Sequence, residues 1–137
     1  MFPVTNRRPS RRARRGLATA ELSFTLPILL IVLMAIFEFS LLFLARGELV
    51  EASREGARVA VLPGASYETV EWAVRQNLTP RLRGSAEIEI AGGDRAGELT
   101  TVAVRVPMQL ASPDLLWPIG YSLKGQSLFA ETRMMRE

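Results

Sequence analysis

A chain of 137 residues has room for one small domain at most, and this one contains neither cysteine nor histidine. That removes disulfides, thiol nucleophiles, Cys/His metal centres and histidine acid–base catalysis together. The formal net charge of +3 is uneven: of 17 basic residues six arginines lie in residues 1–16 with no acid beside them, and the remaining 11 face 14 acidic residues.

The first segment is a basic leader, residues 1–16, carrying Arg7, Arg8, Arg11, Arg12, Arg14 and Arg15. A basic arm can hold nucleic acid, but Phe2 is its only aromatic and it abuts an apolar run. Arginine next to a membrane span is retained in the cytoplasm, so the leader sets topology and no nucleic-acid partner is expected. The junction that follows, Arg14-Arg15-Gly16-Leu17-Ala18-Thr19-Ala20-Glu21, joins glycine to an apolar residue and places a lone glutamate five positions after the glycine. It resembles the processing site of type IV prepilins and pseudopilins. The resemblance implies cleavage by a prepilin peptidase between Gly16 and Leu17. It also implies that Glu21 assists assembly by neutralising the new α-amine of a neighbouring subunit. Read without it, Glu21 is an interfacial carboxylate that reaches water.

From Leu22 to Ala45 the only charge is Glu38. At 1.5 Å per residue this run spans about 36 Å, enough for a hydrocarbon core of about 30 Å with some tilt. A secretory signal peptide has a shorter apolar core and a small-residue cleavage site after it, and Leu44-Ala45-Arg46 instead continues as helix. The arginines around Ser10-Arg11-Arg12 suggest a twin-arginine signal, but Ala13-Arg14-Arg15 stands where apolar residues are required. The segment reads as a permanent anchor, with its N-terminus inside and its C-terminus outside, and the prepilin resemblance implies that the membrane is the inner membrane of a bacterium. Glu38 is awkward at this depth. It must be protonated, face a partner or reach the outer headgroups, and a span of Leu17–Phe37 would make it simply interfacial. Pro27 leaves the Ser23 carbonyl without its helical donor, a defect that the hydroxyls of Ser23 and Thr25 are placed to relieve.

The helix is expected to continue outside the membrane to Leu62, where Pro63-Gly64 ends it. Leu49, Ala52, Ser53, Gly56, Ala57 and Ala60 recur at one-face spacing, and Arg46, Glu48, Glu51, Arg54, Glu55 and Arg58 fill the other side. Residues 17–62 would form one rod about 69 Å long. Together with Glu21, Leu26-Pro27 and Phe37-Glu38-Phe39, the stretch Ser53-Arg54-Glu55-Gly56-Ala57-Arg58 is similar to the TadE-like family, pseudopilin-type components of tight-adherence (Tad/Flp) pilus systems. The final residues, Ala130–Glu137, also look like the end of such proteins. The resemblance implies a structural role, with the lipid bilayer, a prepilin peptidase, other pilins or pseudopilins and the assembly platform as partners. Glu21 and Glu38 become candidate assembly residues, and Arg54, Glu55, Gly56 and Arg58 a helix-packing motif. The alternative is an uncleaved single-span anchor displaying a small binding domain.

Residues 63–137 read as that domain. Ser66 caps a helix with Val70, Trp72, Ala73, Val74 and Leu78 on its apolar side, and Pro80 follows it. Ala86–Ile90 alternates as a strand, Gly92–Gly97 turns, and Leu99–Leu110 forms a second strand with Val102, Val104, Val106 and Met108 on one face. Pro107 puts the end of that strand at an edge or bulge. Ser112–Gly120 is a loop or helical turn, with Leu115, Leu116 and Trp117 either tucked over the sheet or forming a membrane-facing or partner-facing rim. Ser122–Met134 is a third strand with a bulge at Gly125. The fold class is therefore α+β and membrane-anchored: a long N-terminal transmembrane helix that extends outside, with a small helix and a three-stranded antiparallel sheet.

No catalytic chemistry is expected. Gly92-Gly93 and Gly97 lack the lysine and helix of a phosphate loop, and Asp94 lacks further oxygen ligands for calcium. Glu87 and Glu89 share a solvent face. Ser23, Ser40 and Ser53 have no histidine, and the single lysine, Lys124, is placed in a strand. No enzyme activity, cofactor, metal or small-molecule substrate is anticipated.

Overall fold

In the computed structural model, which describes residues 11–93 and 95–136, helix α1 runs unbroken over Arg11–Ala60. Pro27 lies inside it without ending it. The hydroxyls of Ser23 and Thr25 do not reach the freed carbonyl. Each donates instead to the carbonyl four residues back, Thr19 and Glu21, at 2.9 Å. Ser40 does the same to Ile36 at 2.6 Å. Such back-bonding hides a hydroxyl within its own helix, which suits an apolar environment.

A small head is built on the outer half of α1. Helix α2, Tyr67–Gln76, opens at Ser66, whose hydroxyl accepts the Thr69 N–H. A one-turn helix α3, Pro80–Arg83, uses Pro80 at its start, where a missing N–H costs nothing. Strands β1 (Glu87–Gly92), β2 (Leu99–Pro107) and β3 (Ser127–Met135) form an antiparallel sheet in the order β1-β2-β3. Ile88 pairs with Val104 across the first ladder, and Val104 with Ala130 across the second.

Period-two alternation puts one sheet face inward. Ile88, Val102, Val104, Val106, Leu128 and Ala130 are buried there, while Glu87, Glu89, Phe129 and Glu131 stay outside. The α1 face made of Leu49, Ala52, Ser53, Gly56, Ala57 and Ala60 is buried against β2, β3 and α2. The long helix thus completes the head's core, as its spacing predicts.

Several details depart from the expectation. Trp72 is 65% exposed, because Val70, Ala73 and Val74 occupy the inward side of α2 and position 72 faces away from them. Strand β2 stops at Pro107, and Met108–Ala111 turn into a short helix α4. Strand β3 begins at Ser127, later than the expected Ser122. Lys124 and Gly125 lie in the turn before it, and Gly125 (φ +74°) is a turn residue, not a bulge. Asp94 lies outside the described residues.

Candidate membrane and assembly surface

Along α1 the surroundings change at one residue. From Ala18 to Leu33 every residue is exposed, and among them Leu22, Phe24, Leu26, Ile28, Leu29 and Leu33 present a bare apolar sleeve. From Glu38 onward one stripe is covered by the head: Glu38, Leu42, Ala45 and Leu49 are buried, three or four residues apart. The opposite stripe stays bare and apolar through Phe43 and Leu44, and Arg46 is the first exposed charge after Glu21. Among the described residues α1 is the one helix long and apolar enough to cross a membrane.

Glu38 is the hinge of this arrangement. It is 0% exposed, and its Oε2 accepts the backbone N–H of Leu116 at 3.1 Å. Its Oε1 has no hydrogen-bond partner among the described residues. The partner loop is a tight structure of its own. Leu116 precedes a 3-10 turn, Trp117–Ile119. The Leu116 carbonyl accepts the N–H groups of Ile119 and Tyr121, and the Trp117 carbonyl accepts that of Gly120. Gly120 closes the turn at φ +92°, a conformation that favours glycine. Asp114 fastens the other side: its carboxyl oxygens accept Ser122 Oγ at 3.0 Å and Leu123 N–H at 3.1 Å. Phe39 meets Tyr121 with ring centroids 6.1 Å apart. Sequence reasoning singles out Glu38 but has no means of finding Leu116 as its partner, because a backbone amide in an aperiodic loop leaves no residue signature.

The other candidate residues are spread along α1. Gly16 is helical and exposed, and so is Glu21 further along the same helix. The leader up to Ser10 and the side chains of residues 11–15 and Leu17 lie outside the described residues. Of the expected packing motif, only Gly56 packs. A Cβ at Gly56 would collide with Val74 Cγ2 and lie 3.1 Å from Val102 Cγ1, so α1 approaches α2 and β2 this closely only because position 56 has no side chain. Arg54, Glu55 and Arg58 instead serve the solvent side. Arg54 pairs with Glu51, and Arg58 with Glu55, each at 3.1 Å. These exposed i,i+3 pairs contribute only about 0.2–0.5 kcal/mol each. Behind them Ser53, which is buried, donates to the Val50 carbonyl and shares a 2.7 Å hydrogen bond with Thr132 on β3.

No group of three or more Asp/Glu side chains able to hold a metal ion is present among the described residues. Gly92 is the last residue of β1, paired with Thr100, and Gly93 follows it, with no helix opening there among the described residues.

Residues 16–58 match the model of a family described as TadE-like protein. The match begins at the Gly16 junction, ends two residues before the end of α1 and leaves the rest of the head outside it. It agrees with the likeness carried by the same stretch of sequence and links the chain to pilus components in general. No curated protein and no solved structure matches the chain.

Proposed function

With a TadE-like segment over residues 16–58 as the premise, we propose that this chain is a pseudopilin or minor pilin of a tight-adherence pilus system. It is held in the inner membrane by α1, with its N-terminus cytoplasmic and its head outside. The observation that carries this reading is the division of α1 at Glu38 into a bare apolar sleeve and a rod that forms part of the head's core. From Ala18 to Phe37 the sleeve is about 30 Å long, close to the thickness of a hydrocarbon core. On its bare side the apolar surface continues to Leu44.

The leader supplies topology and is removed by a prepilin peptidase after Gly16. That step requires local opening of α1, which is helical through this bond. Glycine is the residue best suited to open there, since it lowers helix stability by about 1 kcal/mol relative to alanine. After cleavage, Glu21 pairs with the new α-amine of a neighbouring subunit. Within lipid each of those charges is costly alone, so pairing favours lateral recruitment.

The test is intact mass and N-terminal sequence of the membrane-extracted protein, made with and without a prepilin peptidase in the same cell. The expected result is a new N-terminus at Leu17 that needs the peptidase and is lost in Gly16→Ala. An unchanged N-terminus would favour the second reading, an uncleaved anchor that displays the head. The continuity of α1 through Gly16 is the observation on its side.

A further inference from the structure

We propose that the Leu115–Tyr121 loop is a second membrane contact, which seats the Trp117-Pro118-Ile119 turn in the outer-leaflet interface beside α1. The inference rests on the reading that α1 crosses a bilayer.

Position comes first. The Glu38–Leu116 hydrogen bond and the Phe39–Tyr121 ring contact fix the loop at the level of residues 38–39 of α1. On the bare side of the helix, apolar surface continues past that level through Phe43 and Leu44 to the first charge at Arg46. The helix rises about 12 Å between Glu38 and Arg46. The loop therefore lies between the end of the sleeve at Phe37, where a hydrocarbon core of about 30 Å would stop, and the first exposed charge at Arg46, the zone that interfacial elements occupy.

Composition fits that depth. Residues 115–121, Leu-Leu-Trp-Pro-Ile-Gly-Tyr, carry no charge. Trp117 is 67% exposed and Ile119 56%, with Tyr121 beside them at 37%. Tryptophan and tyrosine favour the membrane–water interface because each combines an apolar body with a polar tip.

Backbone chemistry is the third line. Irregular backbone is excluded from lipid unless its polar groups are satisfied internally. Here the N–H groups of Leu116, Ile119, Gly120 and Tyr121 have acceptors within the protein and Pro118 has no N–H, so of the loop's seven positions Leu115 and Trp117 are left to use the polar headgroup level. The same arrangement explains how a glutamate survives at this level: Glu38 faces the head and never meets lipid.

Depth-dependent tryptophan quenching in the full chain, reconstituted into phosphatidylcholine/phosphatidylglycerol vesicles, tests this. Trp72→Phe leaves Trp117 as the sole tryptophan, and Trp117→Phe leaves Trp72. Both side chains are largely exposed, so neither change disturbs packing. A third protein, carrying Phe24→Trp with both native tryptophans changed to phenylalanine, reports on the span itself. The expected result is that Trp117 is quenched by lipids labelled near the headgroup and loses acrylamide quenching, while Trp72 remains open to acrylamide. Position 24 should be quenched by labels deep in the acyl chains. Deep quenching at position 24 with Trp117 open to acrylamide would overturn the loop proposal and leave the span intact. Trp117 shielded from both acrylamide and labelled lipid would overturn it in favour of a protein partner. No lipid quenching at either position would overturn the span reading and the loop proposal together.

Discussion

Gly56 and Val74 stand so close that no side chain fits between them: a Cβ on Gly56 would overlap Val74 Cγ2. Val74 is fully buried, so it cannot swing into solvent to make room. The contact sets how near α2 lies to the long helix. Gly56→Ala should therefore destabilise the head despite the better helix propensity of alanine. Overpacking costs about 1–3 kcal/mol, against a propensity gain of about 1 kcal/mol. Thermal unfolding of the full chain in detergent measures the net loss, and adding Val74→Ala should recover part of it. A stabilised Gly56→Ala protein would show that the two helices are free to separate.

Glu38 should matter as an acceptor more than as a charge. Glu38→Gln keeps an oxygen for the Leu116 N–H, whereas Glu38→Leu leaves that buried donor without a partner, at a cost of about 1–3 kcal/mol. Denaturant unfolding should rank the leucine variant clearly below the glutamine variant. Proteolysis should find the loop between Ser112 and Leu123 opened in the leucine variant first. Equal losses in the two variants would remove the acceptor role.

Ser53 and Thr132 couple the long helix to the last strand through a 2.7 Å hydroxyl–hydroxyl bond. Ser53→Ala and Thr132→Val should each destabilise the protein, and the double variant by less than their sum. The expected coupling is about 0.5–1.5 kcal/mol. A double-mutant cycle by denaturant unfolding reads it directly, and strict additivity would mean that the bond contributes nothing.

Glu21 is exposed on the apolar sleeve and far from the head, so Glu21→Ala should leave insertion and head stability unchanged while impairing assembly. Carbonate extraction of membranes reports insertion. Recovery of the subunit in pili or in the assembly complex reports the second effect. Normal recovery of the variant would rule out the pairing role.

Elements governed by local pattern are legible in the sequence alone. The small-residue face from Leu49 to Ala60, the Ser66 cap and the alternation of Ile88, Val102, Val104 and Val106 all carry their own periodicity, and each is buried or bonded as that periodicity requires. Trp72 is instructive. Its size invites a core placement, yet its offset from Val70 and Val74 puts it outside, so angular position outweighs hydrophobicity. Reach across the chain is not legible. Glu38 allows three explanations, and the one realised depends on a loop 78 positions away with no repeat to announce it. The role of Gly56 is visible only as a small residue on a small-residue face. Arg54, Glu55 and Arg58 fall on the opposite side by the same helical spacing, and their i,i+3 pairs form there with Glu51 and with one another.

The continuity of α1 also has a mechanical meaning. No break or linker separates the bare apolar part of the helix from the part inside the head. Tension between bilayer and head would therefore run along the helix axis and act in shear on the contacts between Glu38 and Ala60, a length of about 33 Å. In that direction many contacts resist together, whereas a peeled loop yields one residue at a time. A subunit built this way would transmit a pull on its anchor to its fold with almost no slack.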